Sequence, residues 1–132
     1  MFWIGNVLYH KHKISTLKSL IQTGDVAGVS QMITAHPELL QADLDQERMS
    51  QLKPLSLAAG LGQEAICSNL LALGENVNEQ DRYHYTPLHH TILPDQTNTA
   101  VLLLRQGADL KIKDFEGLTP LDYAKNTMRP EI

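Results

Sequence analysis

Cysteine is almost absent from this sequence. Cys67 stands alone, which excludes an internal disulfide framework and leaves no thiolate set for a zinc site. A reducing compartment, the cytoplasm, is the expected location. Aromatic side chains amount to only 5%, so a core has to be built from Leu, Ile, Val and Ala, which suits closely packed helices better than a β-sandwich. No apolar run approaches the length of a membrane span. The opening MFWIGNVLY is apolar but short, lacks a basic leader and is followed by the basic HKHK, so neither a signal peptide nor a transmembrane helix is expected.

Catalytic signatures are missing too. There is no G-x-S-x-G elbow, no phosphate-cradling glycine loop and no H-E-x-x-H helix. Cys67 sits in EAICSNLL beside Ile66, Leu70 and Leu71, a setting for a buried thiol rather than an activated nucleophile. The adjacent His89 and His90 diverge by about 100° on a helix and cannot easily grip one ion. No enzyme activity, metal or cofactor is therefore expected. Net charge is -4, with Lys11, Lys13 and Lys18 in an acid-free opening and a predominantly acidic middle. An acidic middle disfavours nucleic acid, whose phosphates require a basic surface.

What the chain does have is a stride. Pro54, Pro87 and Pro120 are each 33 residues apart, and Leu55, Leu88 and Leu121 follow them. Leu70-Leu71 aligns with Leu103-Leu104, Gly74 with Gly107, and Val77 with Leu110. Self-similarity at such a period marks a stacked array of small units rather than a globule with one private core. In TPL, Thr86 and Thr119 are placed to cap a helix, with Pro at the first helical position and Leu facing inward. LLLRQGADL, residues 102–110, ends a second helix near Gly107. One unit is thus turn, helix, loop, helix, turn.

The recurring TPLH, LL and GAD elements resemble ankyrin repeats. DRYHYTPLHHTILPDQTNTAVLLLRQGADLKIK matches a full unit, and DFEGLTPLDYAK the first half of a last one. On that resemblance the fold is an all-α solenoid of stacked helix-turn-helix units with β-turn fingers, forming a single domain over residues 1–132. Residues 1–14 are expected to be an N-terminal capping segment, 15–47 a degenerate first repeat, 48–80 the second, 81–113 the third and 114–132 a truncated last repeat. His89 is expected in an inter-repeat hydrogen-bond network.

Three departures stand out. The tip glycine two residues before the Thr occurs only as Gly117, with Gln51 and His84 in its place elsewhere, so the second and third fingers are expected to be distorted. Residues 43–47, DLDQE, are read as an insertion between the first and second units that makes the first finger longer and acidic. Pro94-Asp95 replaces a glycine turn, with Asp95 a candidate cap for the following helix. At the ends, Phe2, Trp3, Ile4, Val7 and Leu8 are expected to form a short helix or strap over the first unit, and the helix bearing Val101 to Leu104 is expected to be poorly covered.

The resemblance also implies where a partner would touch: Met49, Ser50 and Leu52; Arg82, Tyr83, Tyr85 and Leu93; and Phe115, Glu116, Leu118 and Asn126. Arg82, Tyr83, Tyr85 and Phe115 are residue types that anchor protein interfaces. Lys111 and Lys113 with Asp114 and Glu116 are expected to form a mixed-charge rim. The expected function is stoichiometric protein binding, as an adaptor or as an inhibitor of the immunity-protein kind. The alternative is an assembly role by end-on stacking. The expected partner is another protein, with the chain itself a monomer or weakly self-associating.

Overall fold

The computed structural model of the chain describes residues 2–92 and 94–127. Seven α-helices occur among them: α1 (Phe2–Thr23), α2 (Val26–Ala35), α3 (Pro54–Gly60), α4 (Glu64–Ala72), α5 (Pro87–Ile92), α6 (Thr97–Arg105) and α7 (Pro120–Thr127), with a 3-10 turn at Pro37–Gln41. They form two layers. Helices α1, α3, α5 and α7 pack in succession in one, α2, α4 and α6 in the other, and α1 with α2, α3 with α4 and α5 with α6 pair across. No strand occurs among the described residues.

The repeating columns explain the layers. Leu55 and Leu88 are fully buried at the starts of α3 and α5, and Leu70 and Leu103 in α4 and α6. The first column opens toward α7, where Leu121 is 42% exposed, and Leu104, in the column of the half-buried Leu71, is 38% exposed. No helix among the described residues follows α6 in its layer, so Val101 and Leu104 stay partly open, as expected for an end unit.

At the other end, the backbone of residues 2–9 is helical. No glycine or proline interrupts residues 6–23, and they continue into the single helix α1, whose Ile14, Leu17 and Ile21 bury one stripe. Leu8 is 62% exposed. The side chains of Phe2, Trp3, Ile4 and Val7 lie outside the described residues.

Each paired set of helices turns through one left-handed residue: Gly24 at φ 82°, Gly62 at φ 72° and Asp95 at φ 56°. Asp95 does not cap α6. Gln96 holds that position, and the Asp95 carboxylate instead accepts a bond from the Thr97 hydroxyl at 2.8 Å. A side chain in the left-handed region costs about 1 kcal/mol relative to glycine. Asp95→Gly is therefore expected to raise the melting temperature by about 2–4 °C, and a thermal melt followed by circular dichroism checks it.

Candidate protein-binding face

The fingers are built on aspartates. Asp81 Oδ1 accepts the backbone N–H groups of Tyr83 (2.9 Å) and Tyr85 (3.0 Å), and Asp114 Oδ1 those of Glu116 (2.9 Å) and Leu118 (3.0 Å). Asp81 and Asp114 are each only 6% exposed as whole residues. Asp114 is thus a buried anchor, not part of a charged rim. Its carboxyl lies below the usual value: burial works to raise it, but bonds from the Tyr123 hydroxyl and the Leu118 and Glu116 amides prevail. The opposite pull raises the Tyr123 phenol.

This anchoring lets non-glycine residues take the tip position. Gln51 (φ 57°), His84 (φ 63°) and Gly117 (φ 78°) all adopt the left-handed conformation. At His84 the expected distortion is absent, since the Asp81 and Asp114 fingers share one geometry; the finger that carries Gln51 departs from it, with a longer loop and a second left-handed residue at Met49, φ 52°. The first finger follows the same plan with a longer loop: Asp43 Oδ1 accepts from Asp45 N (2.9 Å) and Leu52 N (3.2 Å). Asp43 is therefore an anchor, and the extra residues lengthen the finger, as expected.

Neighbouring fingers are tied by their backbones. Arg82 N donates to Ser50 O at 2.9 Å, and Phe115 N to Tyr83 O at 3.2 Å. The Arg82 guanidinium also donates to Met49 O at 3.3 Å, and Gln80 Nε2 bridges His84 O (3.0 Å) and Lys113 O (3.4 Å). Upon this ladder stand Met49, 64% exposed, Tyr83, 45% exposed, and Phe115, 66% exposed. Phe115 stacks on His84 with ring centroids 4.0 Å apart. Arg82, Lys113 and Glu116 are exposed beside them.

Other expected contacts fall elsewhere. Tyr85 is half-buried, turned into the groove against His89 and His90. Leu52 and Leu118 are half-buried, and Leu118 lends its carbonyl to His89 Nε2 at 3.1 Å. Leu93 and the Asn126 side chain lie outside the described residues. The structure thus brings Arg82, Tyr83, Phe115 and Lys113 onto one edge, with His84 as a member the sequence did not single out.

His89 and Asp122 show why the groove is rigid. Thr86 N donates to His89 Nδ1 at 3.0 Å, and the Thr86 hydroxyl accepts from His89 N at 3.3 Å. One unit later Thr119 N donates to Asp122 Oδ2 (2.9 Å) and the Thr119 hydroxyl accepts from Asp122 N (3.1 Å). These are reciprocal capping boxes, with an imidazole serving as acceptor in the first. With Nδ1 accepting, Nε2 carries the proton donated to Leu118 O, and burial holds the ring's pKa below its usual value. Both expected roles, the threonine caps and the inter-unit histidine bond, are present.

Between these elements lies a cavity of about 330 Å³, lined by Gly60, Tyr85, His89, His90, Pro94 and Tyr123. It was legible only in part: His90 and Tyr123 occupy the same column, one stride apart.

A family model described as "Ankyrin repeats (many copies)" matches residues 70–124. The chain belongs to the ankyrin-repeat family. NF-kappa-B inhibitor alpha of Gallus gallus is 44% identical over 48 residues, 36% of this chain and 15% of that protein. ADP-ribosylation factor GTPase-activating protein AGD4 of Arabidopsis thaliana is 37% identical over 70 residues, 53% of this chain and 9% of that protein. Rabankyrin-5 of Mus musculus is 36% identical over 81 residues, 61% of this chain and 7% of that protein. The ankyrin array thus spans only a small part of the relatives it matches. Ankyrin repeats generally mediate protein–protein interaction.

Two further side chains in the array escaped the sequence reading. Glu75 and Glu79, each 6% exposed, occupy the loop between the second and third repeats. Their carboxyls lie within hydrogen-bonding reach of each other, yet as ionised groups both are acceptors, and three of their four oxygens are buried without a well-formed hydrogen bond among the described residues. Cys67 is fully buried, its thiol pushed up to about 12 by burial and by Glu64. No cluster of three metal-ligating side chains occurs among the described residues, and no helix among them is long and apolar enough to cross a membrane.

Proposed function

We propose that this ankyrin array is a stoichiometric protein binder that grips its partner with the finger edge of Arg82, Tyr83, His84 and Phe115. The observation that carries the reading is the Phe115 ring, 66% exposed and stacked on His84, on fingers whose backbones are bonded to each other. A large apolar surface held in one orientation loses little freedom on binding, which is the property of an interface anchor. Met49, Lys113 and Glu116 flank that anchor, and Tyr85, Leu52 and Leu118 support it from the groove side. An inhibitor or adaptor role fits an array that exposes a preformed edge, and one relative is named as an inhibitor.

A photo-crosslinking residue at Glu116 tests this in the native cell. The expected result is a discrete crosslinked protein, whose affinity for the purified array falls about tenfold or more in Tyr83→Ala or Phe115→Ala, with melting temperature little changed. A crosslinker at Gln31, on the outer face of α2, capturing the same protein in equal yield would sink the assignment.

A second reading, end-on self-association, is favoured by Val101 and Leu104, 41% and 38% exposed on the uncovered α6. It predicts a mass in sedimentation equilibrium that rises with concentration and returns to the monomer in Val101→Glu. A concentration-independent monomer removes it.

A further inference from the structure

The groove cavity carries more specific chemistry than the finger edge. Four rings surround it. Tyr85 meets His90 edge-on at 5.6 Å and tilts against His89 at 5.6 Å, while His89 meets Tyr123 edge-on at 5.8 Å. Gly60 and Pro94 complete the wall. Gly60 leaves that side bare of any side chain, and no lysine or arginine lines the space.

Behind the rings stand two carboxylates. Asp81 Oδ2 lies 2.9 Å from His90 Nε2, and Asp114 Oδ2 accepts the Tyr123 hydroxyl. His89 contributes no positive charge, since its Nδ1 accepts a backbone N–H. The cavity therefore combines apolar walls, ring faces and edges, and two carboxylates behind the rings, with no lysine or arginine in its lining. Ring quadrupoles attract cations, and the attraction grows where water is displaced. A long side chain with an apolar stem and a charged, planar head satisfies both features.

We infer that the cavity walled by Tyr85, His89, His90 and Tyr123 receives an arginine side chain from the bound partner, so that the segment crossing the groove is basic. This rests on the protein-binding reading and specifies what the partner presents there. An aromatic or aliphatic side chain would fill the volume but gain nothing from the ring quadrupoles or from the negative potential of the two carboxylates, whose oxygens are already bonded within the groove.

The probe is N-acetyl-arginine methylamide, titrated into the intact chain and followed by the ring resonances of Tyr85, His90 and Tyr123. Saturable shifts are expected in the millimolar range, as befits one side chain without its flanking segment. The norleucine methylamide, which keeps the stem and lacks the head, is expected to bind at least about fivefold more weakly. Tyr123→Leu, with its ring removed, is expected to weaken the arginine probe by a similar factor, whereas Gln31→Ala, on exposed surface of α2, leaves it unchanged. Should Tyr123→Leu fail to fold, the probe comparison on the unaltered chain still decides.

Norleucine or phenylalanine methylamide shifting the same rings as strongly as arginine would overturn the inference in favour of an apolar slot. Absence of saturation by about 50 mM arginine probe would overturn it outright. Either result leaves the Glu116 crosslink and the Tyr83 and Phe115 variants untouched, so failure here is separable from failure of the finger edge.

Discussion

Glu79→Gln is expected to stabilise the protein by about 2–3 kcal/mol at pH 8 and to remove most of its loss of stability between pH 5 and pH 8. Glu79 and Glu75 are both 94% or so removed from solvent, 6% of each remaining exposed. Burial raises both carboxyls above their ordinary value near 4.5, and for Glu79 the neighbouring Glu75 adds to the effect. Gln41 Nε2 donates to Glu75 Oε1 at 3.2 Å, and Lys53 favours the charged forms. The Asn76 amide beside Glu75 and the Ser56 amide beside Glu79 pull the same way, yet burial prevails and three of the four oxygens are left without a well-formed hydrogen bond, a shortfall that a proton between the two carboxyls relieves.

The direction of the pH dependence follows. In the unfolded chain both glutamates ionise near their ordinary value; in the folded chain they keep a proton to higher pH. Folding is therefore best supported below the ordinary carboxylate range and loses support as pH rises through the raised folded values, by up to about 1.4 kcal/mol per pH unit for each proton held. Glutamine keeps the volume and supplies the missing N–H donor permanently. Urea denaturation at pH 5, 6.5 and 8 measures the effect. A parent protein whose midpoint is flat or rises across that interval would show that no proton is held there.

The same pair shows where sequence reading stops. One stride later the corresponding positions are Ala108 and Ile112, both small or apolar and half-buried. Reading the repeat for its leucine and glycine columns gives the helices correctly, because Leu55, Leu88, Leu70 and Leu103 are buried by the spacing alone. Carboxylates at a packed column signal a departure, but only the packing of the 3-10 turn and α3 around them shows that water is excluded. The finger tips fail for a related reason. Missing glycine suggests distortion at His84, yet the turn there is dictated by Asp81, whose side chain replaces part of the backbone bonding as Asp114 does beside Gly117. Exposure of Tyr83 and Phe115 was legible from their positions in the unit. The stacking of His84 on Phe115, and the cavity shared by Gly60, His90 and Tyr123, depend on how successive units are set against each other, which no single unit encodes.

The second large effect lies at the opposite sign of charge burial. Asp114→Ala is expected to cost about 3 kcal/mol, more than any change on the exposed finger edge. Removing this carboxylate leaves the Glu116 and Leu118 amides and the Tyr123 hydroxyl without their acceptor at once, and hydrogen bonds to a charged group are worth about 1.5–3 kcal/mol each without being additive. Asp114→Asn keeps an oxygen for the two amides and is expected to recover part of the loss. Since the Asp114 carboxyl lies below its ordinary value in the fold, its contribution is complete above the unfolded carboxylate range and is lost as pH falls through the folded value. It therefore governs the acid side of the stability profile while Glu75 and Glu79 govern the alkaline side, and the parent protein is expected to be most stable in mildly acidic solution. Asp114→Ala should blunt the acid limb alone. Hydrogen exchange supplies the local reading: protection of the Glu116 and Leu118 amides is expected to fall in the variant well before that of Leu70 or Leu103 in the core. If both amides exchange as slowly in Asp114→Ala as in the parent, the carboxylate does not hold the finger, and the rigidity ascribed to Phe115 must come from the backbone bond to Tyr83 instead.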